Sequence, residues 1–339
     1  MKVFNIIRSQ EWWAHKFPPL LAIGYATALM SAAPIYKVAL WLIFLLSALI
    51  VGAIYVSVIN DITDLDEDLA SGKSNRIQLV PEFYRWFIPA FCVLTGLGFG
   101  YFFYPDLLSC LLYLLSWIAF TLYSVKPIRL KDRGIMGVLA DACGSHVFPS
   151  LLMVSSICYF TKQEINWIWF IAVGIWALCY GLRGILWHQF ADRANDIKVG
   201  LNTYASNINP EDFSSRAQLL IAAELIALTV LIYELHLLAP VIALFLYFFL
   251  VYIRYSRYKN QVIIVMNMSD KPFQIIMADY YQMLLPVSLL LFASVSNPVN
   301  LIVLVIHIAL FPYILWLAIY DYMIYIAAIF FDRFKVQQK

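Results

Sequence analysis

Charge is what this chain has least of. Asp, Glu, Lys and Arg make up 13% of its 339 residues, about half the roughly 25% of a soluble domain. With a mean hydropathy of +0.78, that scarcity excludes an ordinary water-soluble globule. A formal net charge of +2 excludes the strongly basic surface that a nucleic-acid partner requires. The five cysteines all fall in apolar stretches without metal-ligand spacing and read as small packing residues. The alternation of membrane-barrel strands is missing. So is the continuous apolar core of a cleavable signal peptide, since "MKVFNIIRSQEWWAHKF" mixes charges and aromatics. It reads instead as an interfacial segment anchored by Trp12 and Trp13.

What is present is apolar length. Runs near twenty residues recur at 17–35, 38–60, 85–104, 107–125, 135–158, 166–190, 217–236, 239–255, 275–295 and 299–328. Backbone groups in hydrocarbon must be satisfied within the segment, so these runs predict an all-α, polytopic membrane helix bundle of nine to ten transmembrane helices. The run around Pro240 reads as a tight hairpin or as one long broken helix. Of the 23 Lys and Arg, all but Lys37, Lys162 and Arg183 fall on one side when the spans are counted out, which places the N-terminus and the long loops in the cytoplasm. The expected organisation is an interfacial segment 1–16, a helical core 17–295 and a C-terminal helix with a basic tail, 296–339. The protein is expected in the bilayer as a multi-pass protein, in the cytoplasmic membrane if bacterial, with its site facing the cytoplasm.

The scarce negative charge is concentrated. "NDITDLDEDLASGKSNR", residues 60–76, follows a long apolar run directly. If the helix continues past the membrane surface, Asn60, Asp61, Asp64 and Asp68 share one face at i, i+3 and i+4 spacing. Stacked carboxylates repel unless a cation lies between them, and hard oxygen ligands at this density suit Mg2+. An EF-hand reading starting at Asp64 fails, because Leu69 stands where Gly is required. A solvated acidic helix cap remains open for this stretch taken alone. A second stretch, "WHQFADRANDIKVGLNT" at 187–203, sets His188, Asp192 and Asp196 at i, i+4, i+8. Two such clusters facing each other can hold a diphosphate through Mg2+ and stabilise it as a leaving group.

Asn60-Asp61-x-x-Asp64-x-x-x-Asp68 resembles the first aspartate-rich motif of the UbiA superfamily of intramembrane prenyltransferases. Asp192-Arg193-x-x-Asp196-x-Lys198-x-Gly200 resembles its second motif, and "YSVKPIRLKDRG" at 123–134 is similar to its basic loop between the fourth and fifth helices. The resemblance runs over about residues 8–295. Gly200 stands where part of the family carries an acid, and a tenth helix would extend a core of nine. The resemblance implies a bundle around a central cavity, open sideways to lipid, and transfer of a prenyl group from a polyprenyl diphosphate to a small-molecule acceptor. It implies Asn60, Asp61, Asp64, Asp68, Asp192 and Asp196 as ligands of Mg2+, with Asn60 also on the substrate. It makes Asp61, Asp64, Asp192, Asp196 and Lys198 the catalytic candidates. Lys126, Arg129, Lys131 and Lys198 are candidates for the phosphate oxygens, although positive-inside topology alone accounts for most such residues.

Isolated polar residues within the spans are costly and should face the interior. Arg183 and Asp141 are expected to touch substrate, with Arg183 alternatively pairing with Asp141 or another helix acid. His146 and Asp141 are candidates to contact the acceptor or take its proton. Glu224, Asp279, His307 and Asp321 receive no role. Three functions stay open: transfer to an aromatic or quinone-precursor ring, transfer to a non-aromatic acceptor such as a sugar phosphate, glycerol ether or chlorin, and a cation-coupled transporter. The last is disfavoured, because the acids cluster at one boundary rather than at the midplane.

Overall fold

The computed structural model describes residues 7–70, 72, 74–267 and 269–336. Parts of the expected terminal segments, and Lys2, Lys73 and Lys339 of the topology count, lie outside these residues. The chain forms helices α1 (Ser9–Met30), α2 (Ile35–Thr63), α3 (Leu65–Ala70), α4 (Phe87–Phe103) and α5 (Leu107–Ser124). There follow α6 (Ile135–Ala142), α7 (Phe148–Thr161), α8 (Trp167–Val199), α9 (Pro210–Leu235) and α10 (Leu238–Tyr258). Last come α11 (Leu285–Ser296), α12 (Asn300–Leu310) and α13 (Pro312–Val336). The protein is an all-α, multi-pass integral membrane protein. Among the described residues the strands are a parallel pair, β1 (Gln261–Ile263) with β2 (Phe273–Ile275), in the loop after α10.

The expected apolar runs are largely helical, with 135–158 and 299–328 each divided between two helices, but not each helix qualifies as a crossing. Among the described residues seven are long and apolar enough to cross a membrane, or eight if α12 and α13, bent by 90°, count as one span. Helix α1 dilutes its apolar run with His15, Lys16, Pro18 and Pro19. The segment Tyr280–Ser296 has fewer than eighteen residues. Both are nevertheless in the bundle's core, through residues such as Leu20, Ile23, Leu289 and Leu290, each at most 4% exposed. Near Pro240 the chain does form two helices. The break is at His236, whose φ of 51° lets the chain reverse, and Pro240 sits in the first turn of α10, where a missing N–H costs nothing.

Two wider helical turns interrupt the regular winding. One, Cys143–Val147, joins α6 to α7; the other, Tyr280–Leu284, leads into α11. Such turns carry an extra residue and occur often at functional sites. Here the first is held by Ser116, whose hydroxyl donates to the Gly144 carbonyl at 2.7 Å. Both face the same interior space.

Candidate active site

That space is a cavity of about 980 Å³, walled by α1, α2, α5, α6 with its wide turn, α8 and the wide turn before α11. Its walls carry aromatic rings, with Phe17, Tyr55, Tyr113, Trp117 and Phe120 among them. Its rim is acidic.

The first acidic stretch stays nearly helical. The chain loosens at Asp64 (φ −99°, ψ −2°), yet Asp64 N still bonds the Asn60 carbonyl at 2.9 Å and Asp68 N the Asp64 carbonyl at 2.8 Å. Asn60, Asp64 and Asp68 therefore line the cavity together, as does Glu67. Asp61, 1% exposed, sits beside this row, about 100° from Asn60. Asp66 points out to solvent. Asn75 folds the following loop back, donating to the Asp61 carbonyl and to Asp68 Oδ2 at 2.8 Å each.

The second stretch ends α8 over the same cavity. His188, Asp192 and Asp196 line it, and Asp196 Oδ2 accepts from Thr203 Oγ1 at 3.1 Å. Gly200 has a structural reason for replacing an acid. It caps α8 in the left-handed region (φ 74°), which lets Leu201 N reach back to the Asp196 carbonyl at 2.9 Å, and glycine adopts that conformation without penalty.

Cations from two other segments stand on these acids. Arg8, just before α1, pairs with Asp61. Lys131 pairs with Asp64, and Arg129 bridges Asp64 (3.0 Å), Glu67 and Asp132 (3.1 Å). Burial pushes the Lys131 ammonium down to about 8, against the pull of Asp132, Asp196 and Asp61. The basic loop is tied to the loop after α8 by Gly134 N on the Asn202 carbonyl at 3.2 Å. Both halves of the rim are thus one connected surface.

The expected residues divide accordingly. Asn60, Asp64, Asp68, Lys131, Asp141, Arg183, Asp192 and Asp196 line the cavity, while Asp61 and Arg129 are buried against it. Lys126 and Lys198, expected on phosphate, are exposed and do not line the cavity in this structure. For Lys198 the reason is angular, because it lies about 200° around α8 from the inward-facing Asp196. Arg183 takes the alternative of pairing with another helix acid. Its Nε and Nη2 donate to the two Glu224 oxygens at 2.7 Å each, and the remaining donors reach the Ile264 and Ile276 carbonyls at 3.1–3.2 Å. All five guanidinium hydrogens are engaged, so this arginine fastens the β1–β2 loop to α8 and α9. Asp141, its other expected partner, is not involved.

Sequence reasoning missed Arg8, Glu67, Asn75 and Glu224. Arg8 lies 53 positions from Asp61, and no spacing rule reaches so far. The density of acids at 66–68 was the signal that could have found Glu67.

The donor set fits a hard divalent cation. Its ligating atoms are all carboxylate or amide oxygens, and Asp61 Oδ2 is buried without a hydrogen-bond partner, an orphaned oxygen that a cation would satisfy. In this arrangement no group of three or more His, Cys, Asp and Glu among the described residues is gathered tightly enough to hold an ion, since Arg8, Arg129 and Lys131 hold the acids instead.

Comparison with known proteins places the chain by family and fold. No curated protein sequence matches the chain. Among solved structures, a UbiA homolog from Archaeoglobus fulgidus, bound to GPP and Mg2+, matches at 16% identity and TM-score 0.55, covering 88% of this chain and 99% of that one. The same homolog bound to Cd2+ matches at 17% identity and TM-score 0.54, covering 87% and 100%. At that identity the likeness is one of fold. The sequence profile of the UbiA prenyltransferase family matches residues 18–266, which takes in both acidic stretches and the basic loop between them, and to that family the chain belongs.

Proposed function

We propose that this protein transfers a prenyl group from a polyprenyl diphosphate to an aromatic or quinone-precursor acceptor, releasing diphosphate. One observation carries the reading: two acidic helix ends from distant parts of the chain open onto one cavity that also presents aromatic rings. A transporter site would instead place its acids near the midplane.

Asn60, Asp61, Asp64, Asp68, Asp192 and Asp196 are the residues that would hold Mg2+, the ion named with the A. fulgidus homolog. When bound, Mg2+ neutralises the diphosphate as negative charge builds on it. The chain's own residues do the rest. Arg129 and Lys131, now on carboxylates, lie where they can turn to phosphate oxygens. The aromatic walls exclude water from the allylic cation and offer it ring faces. The excess of Lys and Arg on the loop side supports a cytoplasmic rim.

The test is binding of geranyl S-thiolodiphosphate, a non-reactive donor analogue, to the protein in detergent with and without Mg2+. Metal-dependent binding that is lost in Asp64→Ala is expected. Binding unaffected by chelator would remove the proposed role of the acidic rim.

A further inference from the structure

Below the acidic rim the two wide turns converge on one residue, Tyr180 of α8. Gln282, on the turn before α11, donates from Nε2 to the Tyr180 hydroxyl at 3.0 Å, and its Oε1 lies 3.0 Å from His15 Nδ1 on α1. His146, on the other turn, sets its ring edge-on to Tyr180, with centroids 5.1 Å apart at 80°. All four residues line the cavity.

His146 differs from its fellow histidines. His15 and His307 are hydrogen-bonded through Nδ1. His146 is 9% exposed, yet neither of its ring nitrogens has a hydrogen-bond partner among the described residues. Its ring nitrogens are not among the side-chain atoms that are buried without a partner, so they open onto the cavity that the residue lines. The ring is also firmly placed. A Cβ at Gly181 would lie 3.0 Å from His146 Cδ2 and 3.1 Å from the Ala142 backbone, so a larger residue there would press on the imidazole and the turn. Tyr180, which accepts from Gln282, keeps its own hydroxyl hydrogen to give.

The depth is right for an acceptor. Arg8 marks the rim through Asp61, and His15 lies about 10 Å further down α1. That leaves room for the carbon bearing the diphosphate and one ring beyond it.

The geometry points to His146 as the residue that takes the proton from the acceptor, and to Tyr180, held by Gln282 and His15, as the donor to an acceptor oxygen; this rests on the prenyl transfer proposed above. The acceptor is a hydroxylated aromatic. The bond between prenyl C1 and the diphosphate oxygen breaks, its electron pair leaving with diphosphate. A ring carbon of the acceptor bonds to C1, and that carbon's proton passes to the unprotonated nitrogen of His146, from which water takes it on product release. Arg183 has no part, its hydrogens being engaged by Glu224 and the β1–β2 loop.

The test offers the protein in detergent radiolabelled geranyl diphosphate, Mg2+ and a panel of mono- and dihydroxylated benzenes and naphthalenes, with and without a carboxylate. Geranyl S-thiolodiphosphate binding is measured alongside. His146→Ala and His146→Gln are expected to bind the analogue as the unmodified protein does and to lose about a hundredfold or more in turnover. Imidazoles added to His146→Ala are expected to restore turnover in order of their basicity. Failure of the unmodified protein to bind the analogue would instead count against the prenyl-transfer reading itself. With analogue binding intact, any of three results overturns the inference: no panel member is prenylated, His146→Gln keeps turnover within threefold, or rescue is absent or indifferent to basicity.

Discussion

Arg183 and Glu224 form a two-pronged ion pair inside the bundle, each nitrogen–oxygen distance 2.7 Å, with Arg183 2% and Glu224 0% exposed. Removing one partner strands a buried charge, at a cost of about 3–5 kcal/mol. Arg183→Ala and Glu224→Ala should therefore both lower the unfolding midpoint in detergent markedly. Replacing both by apolar residues should recover much of the loss. An Arg183 variant of unchanged stability that fails only in catalysis would restore the substrate role expected from sequence.

The acids separate by the side of the helix they occupy. Asp64→Ala should abolish binding of the donor analogue, because Asp64 lines the cavity and is the common partner of Arg129 and Lys131. Asp66→Ala, on the solvent side, should alter it by about twofold or less, as surface changes usually do. Calorimetric titration of both variants decides, and equal losses would mean that the segment wraps around its ligand.

The lysines divide in the same way. Lys126→Ala and Lys198→Ala, both exposed, should leave donor affinity within about twofold. Lys131→Ala should weaken it severely, since this ammonium sits on the cavity wall against Asp64 and Asn60. A severe loss from Lys198→Ala would show that the end of α8 rotates on binding.

Metal removal gives a fourth outcome. Turnover of geranyl diphosphate should stop in chelator and return with Mg2+. The unfolding midpoint should shift little, because the carboxylates already have Arg8, Arg129 and Lys131 as partners. Collapse of the fold on chelation would mean that the ion is structural.

Much of this was legible because it is local. The apolar runs mark the helices, and four-residue spacing puts Asn60, Asp64 and Asp68 on one wall and Asp192 with Asp196 on another. What escaped depends on packing between distant segments. Nothing near Arg183 in the sequence selects Glu224 over Asp141; that choice needs α8 laid against α9. Lys198 belongs to the same motif as Asp196, yet it is exposed and stands on another side of the helix. The wide turns at Cys143–Val147 and Tyr280–Leu284 carry no signature in residue order, so the convergence on Tyr180 is visible only in three dimensions. The 90° bend at Phe311 likewise divides a run that reads as one continuous helix.

The fork made by Arg254 reaches further than its position implies. One guanidinium holds Asp279 (2.6 Å), at the root of the turn that carries Gln282, and Asp321 (2.8 Å) on α13. Helix α13 lies beyond the segment matched by the family profile, yet through this linkage it braces the floor on which Tyr180 is hung. The C-terminal arm behaves as a buttress: ending the chain at residue 310 would loosen a wall of the reaction chamber without deleting a single atom that lines it.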